Sequence, residues 1–423
     1  MLIPSYVRLH FDQVVAALEK RNLNAKADLE RLLALDEERR ASQAALDETL
    51  AKANAVAKEI GQLFKEGSVA EANQKKEESA QLKNNSKELQ NTLQESTEKL
   101  QELLYQLPNI PHQSVVKGNS DEDNEEIFQQ GSIPTLEEGA LPHWELAKKY
   151  NLIDFELGAK ITGAGFPVYM GKGAKLQRAL INYFLDYNTA AGYDEVQVPH
   201  MVNEASGLGT GQLPDKEGQM YHATEDDLYL IPTAEVPVTN IYRDTLLQES
   251  NLPIQLTAYT PCFRREAGSY GAHVRGLNRL HQFDKVELVR IEHPDNSYKA
   301  LDTMVSHVGK LLESLELPYR ILRLCGGDLG FTAALTFDFE IYSTAQSRWL
   351  EVSSVSNFES FQANRLKLRF KGNDGKKQLA HTLNGSSLAL PRIVAGILEN
   401  HQTKEGIRIP KALVPYTGFD LIN

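Results

Sequence analysis

The sequence predicts an α+β fold in which a long antiparallel coiled-coil helical hairpin precedes an antiparallel sheet with flanking helices. Three observations carry this prediction. A proline-free, heptad-patterned stretch near the N-terminus has a single break. Downstream, glycine and proline punctuate short β-prone runs. Those runs lack the regular strand–helix alternation that builds a doubly wound sheet.

Between residues 25 and 106 there is no proline, Gly61 and Gly67 are the only glycines, and Leu, Ala, Glu, Lys and Gln dominate, all good helix formers. Leu46, Leu50, Ala53, Ala57, Ile60 and Phe64 alternate at spacings of four and three, and Leu82, Leu89, Leu93, Leu100 and Leu104 continue a similar seam, as coiled coils require. The break is Lys65-Glu66-Gly67-Ser68, a glycine to end one helix and a serine to cap the next. Two helices of about 40 residues at ~1.5 Å per residue would span on the order of 60 Å. That exceeds what a domain needs for its own core and suits reaching a distant partner, although a structural or dimerising coiled coil fits the same periodicity.

Leu107-Pro108-Asn109-Ile110-Pro111 marks a boundary, and the polar acidic stretch 118–126 reads as a connector. The expected domains are therefore residues 1–110 and 111–423. Within the second, Glu195-Val196-Gln197-Val198 and Trp349-Leu350-Glu351-Val352 read as strands and residues 175–187 as a helix. With 423 residues and 41% hydrophobic content, more than one core can be filled. The formal net charge of -12 argues against broad electrostatic capture of nucleic acid but leaves room for local basic contacts. Cys262 and Cys325 are the only cysteines, too few for a disulfide framework or a cysteine-rich zinc site. Arg8, Asp12 and Glu19 interrupt the first 20 residues, and no run approaches 18 apolar residues, so a cytoplasmic protein with no membrane partner is expected.

Gly207-Leu208-Gly209-Thr210-Gly211 runs into Gln212-Leu213-Pro214-Asp215 with no helix to receive a pyrophosphate. Gly171-Lys172-Gly173-Ala174 lacks the spacing and the Ser/Thr of a P-loop, and the histidines show no His-Glu-x-x-His pattern. No Gly-x-Ser-x-Gly elbow suggests a hydrolase.

A different constellation carries chemistry. Thr260-Pro261-Cys262-Phe263-Arg264-Arg265-Glu266, then Arg275, then Arg279-Leu280-His281-Gln282-Phe283 sets arginines, a carboxylate and an aromatic along a strand-loop-strand segment. It resembles motif 2 of class II aminoacyl-tRNA synthetases. A helix through Asn188, followed by Gly192-Tyr193-Asp194-Glu195 and Pro199, resembles motif 1, and Leu383-Asn384-Gly385-Ser386-Ser387-Leu388-Ala389-Leu390-Pro391-Arg392 resembles motif 3. Ile231-Pro232-Thr233-Ala234-Glu235, Glu266-Ala267-Gly268-Ser269-Tyr270-Gly271 and Glu351-Val352-Ser353-Ser354-Val355-Ser356-Asn357 narrow the resemblance to the serine-specific family, as does the hairpin. The resemblance covers essentially the whole chain. Two residues depart from it: Ser387 and Pro391 stand where glycines are common.

The resemblance implies a class II catalytic domain that joins serine to tRNA at the expense of ATP. Such chemistry brings anions together, so cations and a metal must stabilise the developing charge. By resemblance, the catalytic residues are Arg264, Arg392 and Glu351. ATP binding falls to Arg264, Arg265, Glu266, Arg275, Phe283, Glu351, Val352, Ser353, Ser354 and Arg392. Arg264 would hold the α-phosphate, Arg275 and Arg392 the γ-phosphate, and Phe283 would stack on adenine with Glu266 at its amino edge. Mg2+ would sit on Glu351 and Ser354. Thr233, Ala234, Glu235, Glu287, Asn384 and Ser386 would surround L-serine. The implied partners are tRNA(Ser), with tRNA(Sec) as a further candidate acceptor, and a second copy of the chain in a homodimer. Arg39, Arg40, Lys52, Lys58, Lys75, Lys76 and Lys83 are candidate RNA contacts. Taken singly, the arginines also read as surface ion pairs, Phe283 as core and the carboxylates as solvated strand residues. Two alternatives remain at this stage: a synthetase-like paralogue charging another acceptor, and a non-catalytic coiled-coil RNA-binding protein.

Overall fold

The proline-free stretch forms two long helices in a computed structural model that describes residues 1–136, 138–266 and 275–423. Short helices α1 (Pro4–Leu9) and α2 (Phe11–Glu19) precede α3 (Lys26–Lys65) and α4 (Val69–Gln106). The break falls at the expected residues. Gly67 adopts φ +82°, the Ser68 N–H donates to the Leu63 carbonyl (2.9 Å) and the Gly67 N–H to that of Phe64 (3.3 Å), which together make a Schellman cap. The Ser68 hydroxyl, expected to cap α4, makes no capping bond.

The seam of α3 is corrected by half. Leu46, Ala53 and Ile60 face α4, but their companions are Thr49, Val56 and Leu63, whereas Leu50 and Phe64 are exposed. A 3-4 and a 4-3 reading share every second position, and hydrophobicity alone favoured the wrong alternate. Phe64 instead lies under the Lys76 ammonium at 4.6 Å. On α4 the seam is Leu104, Leu100, Ser96, Leu93, Leu89, Ser86, Leu82, Ser79, Lys75 and Ala72, rich in leucine far from the turn and small or polar beside it. Near the turn the helices border a cleft of about 720 Å³ lined by Glu59, Glu66, Glu71, Glu77 and Glu78 together with Lys75, Leu63 and three glutamines. At the other end, Asp36 is buried and held by Arg8, Arg39 and Arg40.

The chain divides into two compact units: residues 2–19 with 23–108, and residues 1, 20–22 and 109–423. The second is built on an eight-stranded sheet. Its strands in chain order are β1 (Glu125–Gln130), β2 (Asp194–Glu195), β3 (Ile254–Phe263), β4 (Gln282–Glu292), β5 (Tyr319–Arg323), β6 (Leu335–Ser343), β7 (Arg348–Glu359) and β8 (His381–Ala389). Across the sheet they run β1-β5-β6-β7-β8-β4-β3-β2. Every pairing is antiparallel except that of β2 with β3.

Helices cover the sheet because their apolar residues recur every three or four positions. In α5 (Gly171–Ala190) these are Leu176, Leu180 and Phe184. In α6 (Ser297–Ser314) they are Leu301, Met304, Val308 and Leu311, and in α7 (Leu390–Asn400) Ile393, Val394 and Ile397. They join Val286, Leu288, Phe339 and Val355 of the sheet in one core. Pro391 occupies the first turn of α7, where its missing N–H costs nothing. Ser387 is buried and its hydroxyl donates to Asn188 Oδ1 on α5 (2.9 Å), so the serine ties the third motif to the first.

The two hairpin glycines differ in backbone sign and therefore in their response to alanine. Gly61 is helical with open space around it, and Gly67 also has space but sits at φ +82°. Gly61→Ala should stabilise the hairpin by about 1 kcal/mol through helix propensity. Gly67→Ala should destabilise it by about 1 kcal/mol, since a β-carbon is disfavoured there. Urea unfolding of both variants, followed by circular dichroism, checks the opposite signs.

Candidate active site

Side chains two residues apart on a strand share a face, and on β4 this aligns Phe283, Lys285 and Glu287. At about 3.3 Å per residue, the aromatic and the carboxylate are roughly 13 Å apart. Glu287 lies opposite Ser386 of β8, and Val289 opposite Asn384.

Glu287 and Glu235 are both buried. Glu235 opens a short helix at Glu235–Asn240, after Thr233 and the fully buried Ala234. One amide nitrogen, Asn384 Nδ2, donates to both carboxylates, at 3.0 Å to Glu235 and 2.9 Å to Glu287. The other Glu287 oxygen receives the Lys285 ammonium at 2.6 Å and the Thr233 hydroxyl at 3.3 Å. The other Glu235 oxygen accepts from Gln362 Nε2 at 2.6 Å, and Gln362 Oε1 accepts from Thr382 at 2.8 Å. Lys285 and Gln362 complete the cluster although no sequence motif singled them out. Ser386 is buried beside it and its carbonyl accepts from the Ser353 hydroxyl at 2.6 Å. Burial, then the charge of Glu287, pushes the Glu235 carboxyl up to about 7 against the pull of Gln362, Lys285 and Arg264.

The arginines lie outside the strands: Arg264 and Arg265 just past β3, Arg275 and Arg279 ahead of β4, and Arg392 in α7. The Arg264 guanidinium stands over the Phe283 ring at 5.2 Å and donates from Nε to the Pro232 carbonyl at 3.4 Å. Arg265 is exposed, its main-chain N–H bonded to the Gln219 carbonyl (2.8 Å). Glu266 pairs with Arg279. Arg275 lies over the Trp144 ring at 4.8 Å with Glu145 at 3.4 Å. Arg392 donates from Nη1 to the Glu351 carbonyl at 2.6 Å and from Nε to the Asn278 carbonyl at 3.0 Å. Ala267-Gly268-Ser269-Tyr270-Gly271, part of the serine-family pattern, lies outside the described residues.

A register shift brings Glu351 and Ser354 together. Phe339 opposes Ser353 while Glu340 opposes Glu351, so Val352 is the extra residue of a β-bulge. Ser354 opposes Asp338, and Asp338 and Glu340 share a face, so Glu351 and Ser354 share it too despite being three apart. Asp338 Oδ1 is buried without a hydrogen-bond partner, and burial followed by the charge of Glu351 pushes that carboxyl well above the usual range. Among the described residues no group of three or more His, Cys, Asp or Glu side chains is arranged to hold a metal. Oxygen donors in this number fit a hard cation that takes its remaining ligands from water or phosphate. Val352 is buried in the core and the Ser353 hydroxyl is committed to Ser386, leaving these two only their main-chain atoms for a ligand.

Other sequence candidates lie elsewhere. Gly207 to Thr210 belong to a short helix, Glu204–Thr210, ended by Gly211. Lys172 donates to the Leu421 carbonyl at 3.2 Å and to Asn423 at 3.1 Å. On the hairpin, Lys52 pairs with Glu48, and Lys75 with Glu59 and Glu78. No helix among the described residues is long and apolar enough to cross a membrane.

Comparison with known proteins bears on these features. Residues 1–111 match the family described as seryl-tRNA synthetase N-terminal domain, and residues 219–401 match the tRNA synthetase class II core domain (G, H, P, S and T). A serine--tRNA ligase of Salinibacter ruber is 51% identical over 409 residues, covering 96% of each chain. One from Chlorobaculum parvum is 47% identical over the full length of both. Seryl-tRNA synthetase from Pyrococcus horikoshii, solved with ATP, superposes with a TM-score of 0.92 at 33% identity, covering 100% of this chain and 99% of that one.

The raised Glu235 carboxyl makes a prediction about stability. Its stabilising contribution is fully present below the ordinary value of 4.5 and is lost as pH rises through about 7. Between those limits the difference in unfolding free energy between wild type and Glu235→Gln should shift by about 3 kcal/mol in favour of the variant. Denaturant titrations across this pH range measure it, and parallel profiles would mean that the buried carboxylate is charged throughout.

Proposed function

The chain belongs to the seryl-tRNA synthetase family, and on that premise we propose that it activates L-serine with ATP and transfers the seryl group to the 3′-terminal adenosine of tRNA(Ser). The observation that carries the reading is the pair of buried carboxylates, Glu287 on the face of β4 that also carries Phe283 and Glu235 joined to it through Asn384, with Arg264 over the Phe283 ring. With Lys285 neutralising one carboxylate, the ionised pocket has a net charge of -1, the complement of an ammonium group.

In this reading Thr233, Glu235, Glu287, Asn384 and Ser386 surround serine, with the Ala234 backbone behind them. A site built to hydrogen-bond a hydroxyl rejects alanine because its own buried polar groups would be left unpaired. The ammonium would draw Glu235 back to its charged form, so serine binding strengthens as pH rises through about 7. A serine carboxylate oxygen then attacks the α-phosphorus of ATP, and the bond to pyrophosphate breaks. Arg264 serves the α-phosphate, Arg275 and Arg392 the γ-phosphate, with Phe283 under the adenine, because planar guanidinium forks match phosphate oxygens. Arg265, Glu266, Val352 and Ser353 border the nucleotide. Glu351 and Ser354 would hold Mg2+, with Asp338 beside them, and the cation would neutralise phosphate charge. In the second step the ribose 3′-OH attacks the seryl carbonyl carbon and AMP leaves.

The hairpin is the proposed tRNA arm, and homodimerisation through the first motif, activity on tRNA(Sec) and a cytoplasmic location complete the reading. The acidic cleft near the turn would repel phosphate, which favours Lys58 and Lys83 over Lys75 as RNA contacts.

Serine-dependent ATP–pyrophosphate exchange tests the activation step, with alanine, threonine, cysteine and glycine in parallel. Exchange should be confined largely to serine, and Arg264→Ala should lower kcat by about 10²–10³, as loss of a transition-state charge partner does. No exchange from the folded protein, with tRNA present, would refute the reading. Exchange without tRNA charging would point to another acceptor.

A further inference from the structure

Arg275 and Arg392 come from distant parts of the chain, yet their supports converge on one buried pair. His143 and Glu399 have fully buried side chains, with His143 Nδ1 2.7 Å from Glu399 Oε1. The main-chain N–H of Leu277 points at His143 Nε2 at 2.8 Å. That nitrogen therefore accepts, and the ring proton sits on Nδ1, where it donates to Glu399. Glu399 also accepts the main-chain N–H of His143 (2.9 Å) and the hydroxyl of Ser343. A β-carbon on Gly276, at φ +69°, would lie 2.3 Å from His143 Nε2, so the backbone beside Arg275 approaches the ring as only glycine allows.

Two routes lead outward. In the first, the Leu277 anchor fixes the turn that holds Arg275, whose guanidinium rests on Trp144 and Glu145, the two residues after His143. In the second, Gln346 Nε2 donates to Glu399 Oε1 (3.0 Å), Asn278 Nδ2 donates to Gln346 Oε1 (3.0 Å), and the Asn278 carbonyl accepts Arg392 Nε (3.0 Å). Glu399 and Arg392 also lie two turns apart on α7. The serine pocket is wired separately, through Asn384, Gln362 and Lys285.

We propose that His143, held by Glu399, is a positioning residue that sets both Arg275 and Arg392 for the nucleotide phosphates. The proposal rests on the reading that these arginines bind ATP. A buried histidine that merely stabilised the fold would affect both substrates alike, whereas a positioning residue affects ATP.

Steady-state ATP–pyrophosphate exchange with His143→Leu, His143→Gln and Trp144→Leu separates them, with thermal unfolding confirming that each variant is folded. His143→Leu should lower kcat/KM for ATP by about 10², as an ångström-scale misplacement does, with KM for serine within about twofold of wild type. His143→Gln, whose amide keeps an acceptor for the Leu277 N–H and a donor for Glu399, should recover part of that loss. Trp144→Leu leaves the buried pair intact and should raise KM for ATP alone by about threefold to tenfold, the scale of one cation–π contact; if His143→Leu does not fold, His143→Gln decides, with a smaller loss in kcat/KM for ATP and an unchanged KM for serine expected. Equal effects on both substrates, or none, would overturn the proposal provided that Arg275→Ala and Arg392→Ala raise KM for ATP. If those arginine variants leave it unchanged, the assignment of the phosphate site is what fails.

Discussion

Glu235 and Glu287 are both withdrawn from water and both bonded to the same amide nitrogen of Asn384, an arrangement that is costly unless each oxygen finds a donor. Much of the catalytic unit is organised around supplying them. Lys285 must lie on the same face of β4 as Glu287, Asn384 must come from β8 in its observed register, and Gln362 must arrive from the short helix Ser360–Leu366. A one-residue slip of β8 would turn Asn384 to the far face and leave two buried carboxylates without their shared donor. Polar pairing thus specifies a strand register that the apolar core beneath would tolerate less selectively.

The same cluster sets opposite charge at the two ends of one strand. Glu235 and Glu287 present negative charge to one end of β4, and Arg264, over Phe283, presents positive charge at the other. Separation along a strand keeps the two fields from cancelling, while Lys285 lowers the acidity of one end to a single net charge. The bulge at Val352 performs a comparable service for Glu351 and Ser354, bringing to one face two oxygens that an unbroken strand would set on opposite faces.

Much of this was legible in the sequence, for reasons that differ by element. The hairpin break was readable because Gly67 is the only glycine between two uninterrupted helical runs near their midpoint, and the antiparallel sheet because the strands lack a regular alternation with helices. The phase of the α3 seam was not, since Leu50 and Phe64 are apolar yet exposed, and only packing against α4 selects Thr49, Val56 and Leu63. Ser68 looked like a cap for α4, but it is its backbone N–H that is engaged, closing the end of α3 on the Leu63 carbonyl, and its hydroxyl makes no bond to α4. Thr233, Glu235, Asn384 and Arg392 were nameable because they fall in ordered motifs. Gln362, Asp338 and His143 had no such signal, because their partners Glu235, Ser354 and Glu399 lie far off in the chain and such pairing is visible only after folding; Lys285, two residues from Glu287, falls in no motif.

The gradient along the α4 seam has a mechanical consequence. Leucines at positions 89, 93, 100 and 104 lock the end of the hairpin far from the turn, where Arg8, Arg39 and Arg40 also clasp Asp36. Toward the turn, Ala72, Lys75 and Ser79 leave an open, acid-lined cleft. A two-stranded beam built this way resists bending at its clamped end and yields at its free end. Its outer turns, joined by the capped turn at Gly67 and by fewer apolar contacts than the base, have the least packing to lose when the tip meets an irregular surface.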